Sequence, residues 1–181
     1  MTHDPTNMTR RDALMGAAVT VAATAAATTA SAQGMSDEDR KAVAESYLKS
    51  LDAGGVSPTT GLGLFDHFAD DAEVYFPKWG VARGKEEVIQ MFSDVGGTLK
   101  SIKHHYEGFT WYMSGGDRFS VEGTSEGEHR DGPWIADQPK WGAGRFCDCF
   151  EVKDGKITRL YIYLDPDYAG KDTARYGWIP A

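Results

Sequence analysis

Residues 144–166, GRFCDCFEVKDGKITRLYIYLDP, gather side chains capable of moving protons onto one predicted hairpin. Asp154-Gly155 suits a tight turn, and the segments on either side are rich in β-branched and aromatic residues. Side chains alternate along a strand. Ile157, Arg159, Tyr161, Tyr163 and Asp165 therefore share one face of the second segment, and Thr158, Leu160, Ile162 and Leu164 share the other. An aliphatic face backing an aromatic and acidic one predicts burial on both sides, with the acidic face lining something polar. Asp165 closes that face and is the candidate catalytic carboxylate. In apolar surroundings the charged form of a carboxylate is disfavoured, so its pKa rises toward the range of a useful acid or base. Asp165-Pro166-Asp167 is also a good turn signal, so both readings stand at this level.

The turn decides what else joins Asp165. A two-residue Asp154-Gly155 turn pairs Val152 with Ile157 and puts Phe146, Asp148 and Phe150 on the Asp165 face. A three-residue turn with Gly155 as a bulge pairs Val152 with Lys156 and brings Arg145, Cys147 and Cys149 there instead. The bulged form is preferred, which makes Arg145 a candidate substrate-binding residue. The chain is rich in aromatics, with 8 Phe, 8 Tyr and 5 Trp, which favours a flat aromatic or polycyclic ligand over a sugar. Tyr47, Tyr75, Trp79, Trp111 and Tyr163 are the candidate cavity lining.

Two absences of chemistry are expected. Cys147 and Cys149 lie one residue apart on one strand, where a disulfide is strained and two thiolates fall short of a zinc site. They are read as small core residues, with no metal and no disulfide. The formal net charge is −8, with no basic stripe, which disfavours nucleic acid as a partner.

Several elements must position these groups. Ser36-Asp37-Glu38-Asp39 predicts a helix start, and the helix runs to about residue 53 before Gly54-Gly55. A second, shorter helix is expected over 61–69, a strand over 72–77 and a third helix from Gly84. Residues 101–114 and 117–128 predict a hairpin, and 130–144 a long loop or irregular hairpin end. Helices grouped on one face of an antiparallel sheet define an α+β domain. The aliphatic face of Leu160, Ile162 and Leu164 is expected to make a homodimer through the outer face of the sheet.

Residues 1–32 predict an address rather than part of the fold. Thr9-Arg10-Arg11-Asp12 opens an Ala/Thr-rich run that ends in Ala30-Ser31-Ala32, the pattern of a twin-arginine signal peptide with its cleavage site. The domain proper is then 33–181, located in the periplasm or secreted, with no stable membrane insertion after cleavage.

The helix YLKSLDAGG, the segment LFDHFADDAEVYFP, the unit GVARGKEEVIQMF and the terminal DGKITRLYIYLD together resemble the nuclear-transport-factor-2-like superfamily, in its SnoaL-like (polyketide-cyclase-like) branch. The resemblance implies a cone-shaped fold, three N-terminal helices packed on a curved antiparallel sheet. It also implies cofactor-free acid–base chemistry in those members that are enzymes. Asp165 stands where cyclases and limonene epoxide hydrolase place an acting aspartate. His105, in KHHYEG, resembles the strand histidine of the dehydrochlorinase and dehydratase sites. Asp52 lies near the place of that histidine's carboxylate partner. His104 should face the other side of its strand, and a β-bulge exchanges the two histidines. His67 and His129 are not candidates. An Arg145–Asp165 pair resembles the epoxide hydrolase, but Cys147 stands where that enzyme has an acid. The expected function is an exported lyase or isomerase, dehydratase-like, acting on a small hydrophobic molecule through Asp165, His105 and Asp52. The alternative is a periplasmic binding protein of the same fold.

Overall fold

The computed structural model describes residues 34–135 and 144–164. Its first helix, α1 (Asp37–Asp52), begins where Ser36 and Asp39 cap each other. The Asp39 N–H donates to Ser36 Oγ at 3.1 Å, and the Asp39 carboxylate accepts the Ser36 N–H at 3.3 Å. Ala44, Tyr47 and Leu48, at helical spacing, form the buried stripe. The helix stops at Gly54 and Gly55, whose φ values of +74° and +126° suit residues without a Cβ.

Two helices are present among the described residues, not the expected three. Over 61–69 only a single 3-10 turn forms, Leu64–His67, and Phe68 already belongs to a strand. Strand β1 (Phe68–Phe76) buries Phe68, Ala72, Val74 and Phe76 and pairs in parallel with the last strand. So short an apolar run has no periodicity of its own to hold a helix, and the sheet claims it. Strand β2 (Gly80–Arg83) follows, and then α2 (Gly84–Gly96), which buries Val88, Met91, Phe92 and Val95.

The remaining strands are β3 (Leu99–His104), β4 (Thr110–Met113), β5 (Arg118–His129), β6 (Gly132–Ile135), β7 (Arg145–Lys153) and β8 (Lys156–Leu164). They complete one eight-stranded sheet in the order β2-β1-β8-β7-β5-β3, with β4 and β6 also paired to β5. The helices pack on this sheet, and the ring of Tyr47 on α1 meets Phe68, Phe92 and Phe150 edge-on at 5.4, 6.2 and 6.1 Å between centroids. The expected hairpin strand over 101–114 is broken at residues 105–109 by a 3-10 turn, Tyr106–Gly108. Of the long loop or irregular hairpin end expected over 130–144, the described part takes the second form, with strand β6 returning antiparallel to β5. Among the described residues no helix is long and apolar enough to cross a membrane.

The β7–β8 hairpin combines both of its expected forms. Val152 pairs with Ile157 and Lys153 with Lys156, as a two-residue turn requires. The register then slips, so that Glu151 pairs with Arg159, Cys149 with Tyr161 and Cys147 with Tyr163. Thr158 is the extra residue, and its hydroxyl donates to the Glu151 carbonyl at 3.3 Å. The bulge therefore lies beyond the turn and not at Gly155.

This register corrects the orientation of β8. Leu160 and Ile162 are buried in the core together with Phe146 and Phe150, so the aliphatic face points inward. The surface that carried the expectation of a dimer is thus interior. Tyr161 and Tyr163 lie on the opposite face with Tyr75, their rings 5.7 and 5.8 Å from its ring, and Tyr163 is 49% exposed.

Candidate active site

The inward face of the sheet and the ends of both helices enclose a cavity of about 500 Å³. Most of its wall is aliphatic or aromatic: Leu48, Leu51, Phe65, Phe92, Phe146 and Ile162 among others. Three side chains on the inward face of the sheet bring hydrogen-bonding or ionisable chemistry to this wall, namely His104 on β3, Ser125 on β5 and Asp148 on β7, while Arg145 borders the cavity at the start of β7 with the alternation of Cys147 and Cys149. A few polar groups in an apolar cavity are the usual form of a small-molecule site.

His104 is the best-organised of these. It ends β3 opposite Ser125, with Ile102 two residues earlier also on the wall. Its Nδ1 lies 2.6 Å from Asp52 Oδ1, and its backbone N–H donates to Asp52 Oδ2 at 3.1 Å. The Tyr106 hydroxyl donates to the same Oδ2 at 2.8 Å. A carboxylate only accepts hydrogen bonds, so Nδ1 carries the proton and Nε2 is left with the lone pair. Burial alone would raise the pKa of Asp52. The hydrogen bonds and charge of His104, with the Tyr106 hydroxyl, outweigh it and hold Asp52 below its ordinary value. The dyad is an oriented imidazole backed by a carboxylate, suited to taking a proton from a bound molecule.

Asp148 faces the cavity from the other strand of the wall. It is 3% exposed, and its Oδ1 has no hydrogen-bond partner among the described residues. Burial pushes its pKa up to about 8, so near neutrality the carboxyl is mostly protonated and can donate. Tyr47, fully buried and also on the wall, is raised well above the usual phenol value by burial and by the Asp148 charge.

The other predicted residues are distributed as follows. Asp52 pairs with His104, not with His105. The β3 register shifts between Leu99 and Ser101, and alternation then directs Ile102 and His104 to the cavity. His105 sits beyond the strand end, with Nδ1 2.9 Å from Thr124 Oγ1 and Nε2 3.7 Å from Glu126, off the cavity wall. Tyr47 and Arg145 line the cavity. Tyr75 and Tyr163 do not, because they stand on the outer face of the sheet. Trp79 packs edge-on against Phe76, and Trp111 packs against Phe109 and Phe119. Neither tryptophan reaches the wall. Asp165 lies outside the described residues.

His67, set aside from the sequence, is buried in a structural network. Its Nε2 is 2.7 Å from Ser46 Oγ, which also meets Ser57 Oγ at 2.9 Å and so fastens the loop that contributes Gly54, Gly55 and Gly63 to the cavity wall. Cys147 and Cys149 are free and half-buried on the outer face. Among the described residues no three His, Cys, Asp or Glu side chains gather as a metal-binding group.

Asp148 was weighed from the sequence only as a residue that a two-residue turn would bring to the site, and Arg145 was preferred to it. Its signal was one acidic residue in the otherwise apolar row Phe146, Asp148, Phe150, Val152. Tyr106 left no comparable signal, because its position depends on the 3-10 turn that breaks the predicted strand.

With this geometry described, the comparisons with known proteins fix the family. The family model for SnoaL-like domains matches residues 44–160, and the chain belongs to that family. The solved structures it is similar to share the nuclear-transport-factor-2-like fold. One is a nuclear-transport-factor-2-like protein from Anabaena variabilis, 20% identical, covering 74% of this chain and 95% of that one with a TM-score of 0.55. Another, of unknown function, comes from Burkholderia pseudomallei: 15% identical, 72% and 92% covered, TM-score 0.53. A third is a de novo designed protein with a curved β-sheet: 19% identical, 77% and 98% covered, TM-score 0.50. No curated protein sequence matches the chain. Identities this low establish the fold alone, and a designed protein among the neighbours underlines that function must be argued from the site.

Proposed function

We propose that this protein is an exported, cofactor-independent lyase or isomerase that acts on a small hydrophobic molecule, aromatic or polycyclic, carrying at least one oxygen. The observation that carries the reading is the 2.6 Å contact between His104 Nδ1 and Asp52 Oδ1 in the wall of an apolar cavity of about 500 Å³. His104 Nε2 accepts a proton from a carbon of the substrate, and Asp52 stabilises the imidazolium that forms. Negative charge gathers on the substrate oxygen, where the protonated Asp148 carboxyl donates a hydrogen bond. His104 then returns the proton, to a different carbon in an isomerisation or to a departing oxygen in an elimination. General acid–base help of this kind supplies about 10²–10⁴-fold in rate, and a hydrogen-bond donor placed at developing charge supplies on the order of 10²–10³ more.

The test compares wild type, His104→Gln and Asp52→Asn, each incubated with a pool of aromatic and terpenoid metabolites and followed by mass spectrometry. The reading expects one metabolite to be depleted by the wild type, with each variant slower by at least a hundredfold. A product lighter by water or another small fragment identifies a lyase, and a product of unchanged mass an isomerase. Consumption at equal rates by all three proteins would remove His104 from the chemistry. A compound that co-purifies unchanged with all three would make the cavity a binding site instead.

A further inference from the structure

The Asp52 carboxylate serves two elements at once. Oδ1 faces the His104 ring at 2.6 Å, while Oδ2 accepts the His104 backbone N–H at 3.1 Å and the Tyr106 hydroxyl at 2.8 Å. Tyr106 is well held for this task. It opens the 3-10 turn Tyr106–Gly108, and its ring packs on Phe109 at 5.0 Å between centroids. The Lys49 ammonium, itself paired with Glu45 at 3.1 Å, lies 5.4 Å from the ring centroid.

A donor on one oxygen of a carboxylate draws charge toward that oxygen and leaves the other a weaker acceptor. We propose that Tyr106 is a positioning residue that sets the proton affinity of His104 by competing with its ring for the charge of Asp52. With Tyr106 in place, part of the charge of Asp52 is drawn to Oδ2 and away from the imidazole that Oδ1 orients. The proposal deepens the role given to His104 above and rests on that reading for its catalytic meaning. Among the described residues, the charged or titratable groups around the His104–Asp52 dyad are Lys49 and Glu45 on α1, Tyr106 itself, and Asp148 across the cavity on β7. Of these, Tyr106 meets Asp52 in a hydrogen bond besides those of His104.

The sign of the effect separates tuning from simple support. Removing the hydroxyl in Tyr106→Phe keeps the ring and its packing, returns charge to Oδ1 and raises the pKa of His104. The expected shift is about half a unit to one unit upward, a threefold to tenfold tighter proton. A hydroxyl that only propped Asp52 in place would give the opposite shift, because a loosened carboxylate stabilises the imidazolium less.

The measurement is an NMR titration of the His104 ring in the full domain without ligand, for wild type, Tyr106→Phe and Asp52→Asn. Asp52→Asn must lower the His104 pKa and calibrates the scale. A protein carrying 3-fluorotyrosine at position 106, a stronger donor, should shift His104 downward, and it answers the question even if Tyr106→Phe folds poorly. An unchanged or lowered pKa in Tyr106→Phe, or an upward shift with fluorotyrosine, overturns the proposal. Once a substrate is known, the acid limb of kcat/KM in Tyr106→Phe should move to higher pH by the same amount. The titration needs no turnover. If His104 shifts as expected and no metabolite is ever consumed, the coupling stands and the catalytic reading fails.

Discussion

At the scale of single residues, Asp148 is the most exposed to test. It is a carboxyl enclosed by apolar neighbours, with one oxygen unpartnered among the described residues and a pKa lifted to about 8 by burial. In the unfolded chain the same group titrates near the ordinary aspartate value of 3.8. The folded state therefore holds a proton that the unfolded state has released between about pH 4 and pH 8. The stability associated with that proton is fully present below about pH 4 and is lost as pH rises through 8. At about 1.4 kcal/mol per pKa unit the full loss is on the order of 5 kcal/mol, and an interior dielectric above that of dry protein reduces it. Asp148→Asn removes the titration while keeping the shape. The thermal midpoint of this variant relative to wild type should climb by several degrees between pH 4 and pH 9. A difference that does not vary with pH would mean that Asp148 is ionised in place. Little of this was legible in the sequence. His105 was preferred to His104 through the resemblance, and the slip near Ser101 that accompanies the inward turn of His104 leaves no mark in residue types. Asp52 could be placed through the resemblance because a helix end before Gly-Gly is easy to locate.

Elements were more legible than contacts. The capping residues of α1, the acidic start of α2 and the Asp154-Gly155 turn each announced a boundary through local chemistry. The missing helix over 61–69 and the inverted face of β8 share one cause: pairing partners distant in sequence overrode local pattern. Parallel pairing with β8 drew Phe68 into β1, and the Thr158 bulge set the faces of the hairpin. The β5–β6 pair shows the same non-local control at close range. Gly127 stands directly opposite Trp134, which is 1% exposed and packs against Leu99, Ile102 and Leu164 at the edge of the cavity. A Cβ at Gly127 would lie 2.4 Å from the Trp134 ring and 2.3 Å from the Ser101 carbonyl oxygen. Both neighbours are hard to move, one being a fully buried indole and the other β3 backbone. Gly127→Ala should therefore cost about 1–3 kcal/mol and displace the indole toward solvent. Chemical denaturation gives the first quantity. Tryptophan fluorescence compared with Trp134→Phe gives the second: the red shift expected in Gly127→Ala should vanish when both changes are combined. A stability equal to wild type would show that β6 does not hold Trp134 against Gly127.

At the scale of the whole molecule, the α+β class and the family followed from the order of elements and four short segments, because burying an amphipathic helix against a half-apolar sheet leaves few arrangements. Residues 1–33 lie outside the described residues, and the proposal of export rests on their sequence alone. On that proposal Arg10-Arg11 would be the recognition pair, the Ala/Thr-rich run the mildly apolar stretch and Ala30-Ser31-Ala32 the small-residue cleavage site. The twin-arginine route moves proteins already folded, and this domain suits it. Its two cysteines are free thiols, so folding before transport needs no oxidising compartment. Replacing both arginines with lysine (Arg10→Lys, Arg11→Lys) alters the recognition pair while conserving charge. Wild type should appear in the periplasmic fraction with its amino terminus at Gln33. The double variant should stay in the cytoplasm at full length and be as thermally stable in the folded domain as wild type. Equal partition of the two proteins would dismiss the twin-arginine route. Export of both with cleavage at Ala32 would point to transport in the unfolded state, and the domain would then have to form its His104–Asp52 contact only after crossing.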